Sequence, residues 1–190
     1  MSDVAVMRSE ARYAFAQRVL HWLIAVLVLG ALAGGATIWA FGFEGLNQRL
    51  GLDATNAIYK YHKTAGVLVL GLMVLRLALR LTFGAPAPAA SLSPAVWGVA
   101  RATHLAFYAL LIVMPVLGWA ATAAGGFPVQ FFDANLPPLI GENEALSETL
   151  FYLHGVVGAA IAVLALAHIA GALRHWLVLK DGVMKRIALP

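Results

Sequence analysis

Four stretches of this chain are dominated by apolar residues: about 18–39, 57–83, 97–122 and 149–177. Each reaches the roughly 20 residues a helix needs to cross the ~30 Å hydrocarbon core of a bilayer. Helix-breaking residues lie between them. The run GAPAPAASLSP at 84–94 follows the second stretch and cannot continue a helix. Pro115 sits inside the third stretch and Gly125-Gly126 ends it, while 127–148, with Pro137-Pro138 and four acids, leads into the fourth. A short polar arm at 1–17 precedes the first. A basic start, an apolar core and the small-residue run ALAGGA also occur in cleavable secretory signals. The first stretch is longer than a signal core, and cleavage near Gly34 would discard His21, which is useful below. With no internal repeat, low-complexity segment or pair of matched halves, residues 1–190 read as a single transmembrane domain, neither a solenoid nor an inverted-repeat transporter.

Composition agrees with that pattern. The chain is 62% hydrophobic and 12% charged, too apolar for an ordinary soluble domain. It contains no cysteine, which excludes disulfides, iron–sulfur clusters, thiolate ligands and covalent haem attachment. A net charge of +4 and a pI near 9.7 raise the question of nucleic acid, but the basic residues sit at the ends of apolar stretches and form no soluble basic face. They read as topology signals instead. Arg8, Arg12 and Arg18 precede the first stretch, Arg76, Arg80 and Arg101 flank the second loop, and Arg174, Lys180, Lys185 and Arg186 follow the fourth. The other side has Arg49, Lys60 and Lys63 against Glu44, Asp53, Asp133, Glu142, Glu144 and Glu148. The expected fold is therefore an all-α, up-and-down four-helix membrane bundle with both termini cytoplasmic.

The candidate chemistry is carried by histidines. The stretch from Phe151 to Lys180 contains His154, His168 and His175. His154 and His168 are fourteen residues apart, which puts them on one helix face, separated by about 21 Å of rise. The bundle topology pairs histidines by depth. His21 and His168 both fall toward the cytoplasm, and His62 and His154 both fall toward the outside. Two cross-bundle pairs at two depths suit two six-coordinate b-type haems held without covalent attachment. Gly66, Gly155, Gly158 and Gly171 beside the ligands leave room for a flat macrocycle. A step of fourteen from His21 reaches Gly35, where the outer haem would pass the first span. The same step from His62 reaches Arg76, placed to meet a haem propionate, with Arg80 one turn further along. Both arginines have snorkelling to the cytoplasmic surface as their alternative. A lone intramembrane histidine is commonly a hydrogen-bonded polar residue, but four that pair by depth are not explained that way. A tetrahedral zinc site would need its ligands together. His104 has no partner at its depth beyond the pair already assigned and reads as interfacial or as support for that pair. His175, at a helix end, is placed to contact a propionate, a quinone or water. Trp22, Tyr61, Trp97, Trp119 and Trp176 read as an interfacial belt.

Taken together, these residues resemble the bacterial di-haem cytochrome b561 family. The pieces are Arg18-Val19-Leu20-His21-Trp22, His62-Lys63-Thr64-Ala65-Gly66, Val74-Leu75-Arg76-Leu77, His104-Leu105 with Pro115-Val116-Leu117-Gly118-Trp119, and His154-Gly155, His168 and His175 with the ending from Lys180 to Arg186. The resemblance covers nearly the whole chain, and its ligand positions fall on His21, His62, His154 and His168. It implies a bacterial inner-membrane protein that exchanges electrons with ubiquinone, and one relative is a superoxide oxidase. Bis-imidazole iron has no open position, so substrates would exchange electrons at the haem edge. Lys60, Lys63 and Arg49 could steer superoxide on the outer side, although the outer loops are net acidic. Two alternatives stand beside this: a haem b membrane anchor relaying electrons between quinone and a separate dehydrogenase or periplasmic redox partner, and a haem-free transporter or structural bundle.

Overall fold

The computed structural model describes residues 12–88 and 92–189; Arg8 lies outside the described residues. Four long helices form: α1 (Phe15–Leu50), α2 (Leu52–Phe83), α3 (Pro94–Ala124) and α4 (Glu144–Leu173). All four are long and apolar enough to cross a membrane. The first two expected spans stop at 39 and resume at 57, but helix fills most of that interval. α1 kinks at Gly42, whose φ of 63° and ψ of −179° only glycine adopts readily. α1 and α2 are then separated by Gly51 alone, at φ 81°.

Local sequence explains the other helix starts. Pro94 opens α3, and the Ser93 side chain accepts the N–H of Val96. Asn143 caps α4 by accepting the N–H of Leu146 at 3.0 Å, with Glu144 in the first turn. Successive helices pack as antiparallel neighbours: α1 on α2, α2 on α3, and α3 on α4. Large apolar side chains such as Val26, Leu81, Val99, Val163 and Leu166 face outward. That is the surface a bilayer accepts, because in lipid the backbone must bond internally while the side chains need no polar face.

Each end of the bundle is closed by a short segment. At one end, β1 (Val129–Phe131) and β2 (Ala134–Leu136) form an antiparallel hairpin that turns through Phe132 at φ 52°. The Thr64 hydroxyl of α2 accepts the Phe132 N–H at 3.0 Å, and Trp119 Nε1 donates to the Pro137 carbonyl just beyond the hairpin. At the other end, which bears both chain ends, the tail folds back on α1. Arg12 and Arg18 both donate to the Ala188 carbonyl, Trp22 Nε1 donates to that of Ile187, and the Tyr13 N–H donates to that of Arg186. The buried Arg186 donates onward to Ala87 in the α2–α3 loop. Trp22 and Trp119, expected as belt residues, thus also tie these closing segments to the bundle.

Candidate functional site

A seven-residue step organises the interior of all four helices. α1 presents His21, Val28 and Gly35; α2 presents His62, Val69 and Arg76; α3 presents His104, Leu111 and Gly118; α4 presents His154, Ile161 and His168. Seven residues are close to two helical turns, so each set shares a face, about 10 Å between members. Because neighbouring helices are antiparallel, the sets stack into three layers. Val28, Val69, Leu111 and Ile161 form the middle layer, all buried and in one apolar cluster. The layer nearer the hairpin holds His62 and His154 with Gly35 and Gly118. The layer nearer the chain ends holds His21, His104 and His168 with Arg76.

The hairpin-side layer brings His62 and His154 together edge-on, ring centroids 6.0 Å apart and planes at 81°. His62 Nδ1 lies 3.1 Å from the Ala31 carbonyl, and His154 Nδ1 lies 3.1 Å from that of Met114. A carbonyl oxygen can only accept, so Nδ1 carries the proton in both rings and each Nε2 lone pair is free to bind a metal. Two glycines hold the rings from the side. A Cβ on Gly118 would lie 2.8 Å from His154 Cε1, and one on Gly35 would lie 3.0 Å from His62 Cε1. No side chain fits at either place without displacing the imidazole. His62 also borders a cavity of about 430 Å³ between α1 and α2, lined by small residues including Gly30, Ala31, Gly34 and Ala65. A second, smaller hollow reaches from His62 past Gly66 to His154.

The other layer pairs His21 with His168 at 6.3 Å and 71°. His104 also approaches His168, at 5.6 Å, and Phe107 packs edge-on against the same ring at 5.4 Å. His104 is therefore part of this layer, closer in than an interfacial residue. Cations surround it. Arg76 donates to the Gln17 carbonyl at 2.8 Å, while Arg18 Nε and Arg80 Nη1 are buried with no hydrogen-bond partner among the described residues. A buried guanidinium nitrogen left unpaired is costly and marks a place where an anion fits. Arg80 keeps one nitrogen inside the protein and stacks its guanidinium over the Tyr13 ring at 5.8 Å, so it does not simply snorkel outward.

These features allow a test of fit for a haem. Two imidazoles on opposite sides of one metal ion, with metal–nitrogen bonds of about 2 Å and ring centres about 1.1 Å behind the nitrogen, hold their centroids about 6.2 Å apart. The 6.0 and 6.3 Å pairs match that spacing, and the 5.6 Å separation of His104 from His168 is short of it. The unpaired arginine nitrogens suit carboxylates, and the hollow that touches both His62 and His154 is bordered by Gly66 and apolar side chains, as a macrocycle needs. The donor set fits. Among the described residues no three histidine or acidic side chains are grouped closely enough to hold one metal ion.

The remaining candidate residues lie outside both layers. Lys60 pairs with Asp133 in the hairpin turn, and Lys63 donates to the Pro128 carbonyl at 2.9 Å, so both amines are engaged by the hairpin segment. The hydrogen bond from Lys60 holds the Asp133 carboxyl below its ordinary range. Arg49 lies over the Phe41 ring at 4.9 Å. His175 meets Asp181 near the chain ends, with Nδ1 2.6 Å from Oδ2. Gly118 escapes a search that steps fourteen residues only from His21 and His62; the same step from His104 reaches it.

Comparison with known proteins adds an independent line. Residues 12–188 match the family described as prokaryotic cytochrome b561. The chain is 29% identical over 178 residues to "Cytochrome b561 homolog 2" of Escherichia coli (strain K12), covering 93% of this chain and 90% of that one. It is 27% identical over 176 residues to "Probable superoxide oxidase CybB" of Yersinia pestis, covering 93% and 95%. It is 28% identical over 184 residues to "Cytochrome b562" of Cereibacter sphaeroides, covering 97% and 99%.

Proposed function

This chain belongs to the prokaryotic cytochrome b561 family of multi-pass bacterial inner-membrane proteins that transfer electrons on b-type haem, and we propose that it carries electrons across the membrane between two such haems. The observation that carries the proposal is the recurrence of one geometry, a histidine pair at haem spacing, at two depths. His62 and His154 hold the outer haem, and His21 and His168 the inner one. Bound haem supplies a one-electron iron couple; the chain sets the rest. In the outer site Ala31 and Met114 fix the ring tautomers, so the Nε2 lone pair of each imidazole is left available for a metal. At the inner site Arg18, Arg76 and Arg80 would hold the propionate carboxylates. The layer of Val28, Val69, Leu111 and Ile161 keeps water out between the two depths. Because each pair offers two imidazoles to one haem, substrates would exchange electrons with it without binding to the iron.

For substrates we infer superoxide as donor at the hairpin side and ubiquinone as acceptor at the side bearing the chain ends, which we take as cytoplasmic from the positive charge gathered there. The similarity to the Yersinia pestis protein supports superoxide. His175 stands on the quinone side, and Lys60 and Lys63 stand on the superoxide side. A second role, relay between quinone and a separate dehydrogenase or periplasmic redox protein, is favoured by one observation: both lysines are already engaged by the hairpin segment. The test begins with a reduced-minus-oxidised spectrum and a titration to two haems b per chain. Superoxide-dependent reduction of ubiquinone, slowing as salt rises, supports the first role. Its absence in protein carrying both haems, together with co-purification of a redox subunit, supports the second.

A further inference from the structure

Beyond the histidine layers the chain contains a carboxylate–imidazole pair that the electron path does not use. His175 Nδ1 lies 2.6 Å from Asp181 Oδ2, and Asp181 Oδ1 accepts the Val183 N–H at 3.2 Å. The carboxylate is thus anchored through one oxygen and holds the ring through the other. Both side chains are largely covered, at 15% and 11% exposure.

The backbone makes this contact possible. Residues six apart on an α-helix point to different faces and do not meet. Here Arg174–Leu179 is π-helical, and Lys180 adopts the left-handed conformation, φ 50° and ψ 34°, that side chains other than glycine seldom take. The wide turn and the left-handed residue bring Asp181 back onto His175. His175 follows His168 by seven residues, so it lies about 10 Å along the helix from the inner pair, toward the chain ends.

We propose that Asp181 is a positioning residue that keeps His175 oriented as proton donor to a quinone reduced at this face, an inference that rests on the quinone-reducing function given above. Protonated His175 carries one proton on Nδ1, shared with Asp181, and one on Nε2. Transfer of the Nε2 proton to a quinone carbonyl oxygen leaves the neutral ring, its Nδ1–H still held, and water from the adjacent aqueous side restores Nε2–H. With superoxide as donor the reaction balances. Two superoxide anions give up two electrons and become two dioxygen molecules, while one quinone takes those electrons and two protons to become quinol. The electrons come through the protein from one face, and the protons enter at the other.

The experiment compares full-length, haem-loaded wild type with Asp181→Asn and Asp181→Glu. Each protein is reduced with dithionite and mixed rapidly with either a short-chain ubiquinone analogue or ferricyanide, which takes an electron without a proton. For Asp181→Asn the expected result is reoxidation by quinone slowed about tenfold to a hundredfold, the usual cost of removing the partner behind a working imidazole. Reoxidation by ferricyanide and the haem spectrum stay as in wild type, the solvent deuterium isotope effect on the quinone reaction grows, and Asp181→Glu recovers part of the rate. Nitrogen-15 spectra of labelled histidine supply a readout apart from turnover, with the hydrogen-bonded Nδ1–H signal of His175 present in wild type and lost in Asp181→Asn. Unchanged quinone reoxidation, or equal slowing with both oxidants, overturns the proposal. If reduced wild type is not reoxidised by quinone at all, the quinone assignment itself fails and this inference falls with it.

Discussion

Replacing Gly118 by alanine tests the outer site at its tightest point. The new Cβ would stand 2.8 Å from His154 Cε1 and 3.0 Å from Nδ1. Carbon atoms settle at about 3.5–4.0 Å, so ring and methyl must part by at least about 0.7 Å. The ring has little freedom to yield. Its Nδ1–H is held by Met114 at 3.1 Å, and moving away loses a hydrogen bond worth about 1 kcal/mol. Overpacking adds about 1–3 kcal/mol, against which the helix gains about 1 kcal/mol from exchanging glycine for alanine. The imidazole consequently leaves the position opposite His62, and the outer haem is held about tenfold to a hundredfold more weakly. The assay is haem content by pyridine haemochromogen, with potentiometric titration of what remains: Gly118→Ala should keep the inner component and lose or shift the outer one. Gly71→Ala is the control. It lies exposed on α2, away from the glycines set beside the histidines, and nothing lies within 4 Å of its Cβ position, so both components should survive. Two haems of wild-type potential in Gly118→Ala would refute the argument.

Other consequences can be checked directly. His154→Ala and His168→Ala should each lower the haem content from two to one per chain and remove different components of the redox titration; loss of the same component from both would break the pairing by depth. Asp133→Asn should release Lys60 and raise the low-salt rate of superoxide oxidation severalfold, an effect that fades with added salt; an unchanged rate would mean that Lys60 does not steer. The pH dependence of that pair follows from its sign. The Asp133 carboxyl is held below its ordinary value of 3.8, so the ion pair persists through mild acid and is lost only as pH falls below that value. A carbon-13 NMR titration of the Asp133 carboxyl should place its midpoint below 3.8.

Much of this arrangement is legible in the sequence because one physical regularity generates it. Apolar length fixes the spans, and a step of seven along each helix fixes the layers, since two turns return a side chain to the same face at a new depth. Stepping from His21 and His62 reaches Gly35 and Arg76, which the structure places against the His62 ring and in the inner layer. What the sequence conceals depends on departures from the regular helix. The kink at Gly42 and continued helix on both sides of Gly51 are written only in permissive glycines, which equally well mark loops. Strands of three residues, as in the hairpin, are too short for an alternating pattern to show. The meeting of His175 with Asp181 needs a π-turn that no spacing rule anticipates. The tail that folds back onto Arg12, Arg18 and Trp22 is long-range, and its bonds go to backbone carbonyls that carry no residue identity.

On the two-haem arrangement proposed above, the same layers would order the haem potentials. Where the outer layer has Gly35 and Gly118, the inner has His104 and Arg76, with Arg18 and Arg80 close by. On the outer side the described cations near the pair are Lys60, whose charge Asp133 matches, and Lys63, so one uncompensated lysine stands against three inner arginines. Adding an electron to a haem adds negative charge, which neighbouring guanidinium groups stabilise, most strongly where water is excluded. Propionates offset part of that charge, yet three arginines exceed two carboxylates. The inner haem should therefore have the higher reduction potential, so electrons run downhill from the hairpin side to the side bearing the chain ends. That is the direction superoxide oxidation with quinone reduction requires. Potentiometric titration of the wild type, with components assigned through His154→Ala and His168→Ala, measures the order. Arg76→Gln should lower the inner potential by tens of millivolts and leave the outer one in place. An outer haem of higher potential, or an inner one indifferent to Arg76, would show that the arginines serve the fold and not the direction of electron flow.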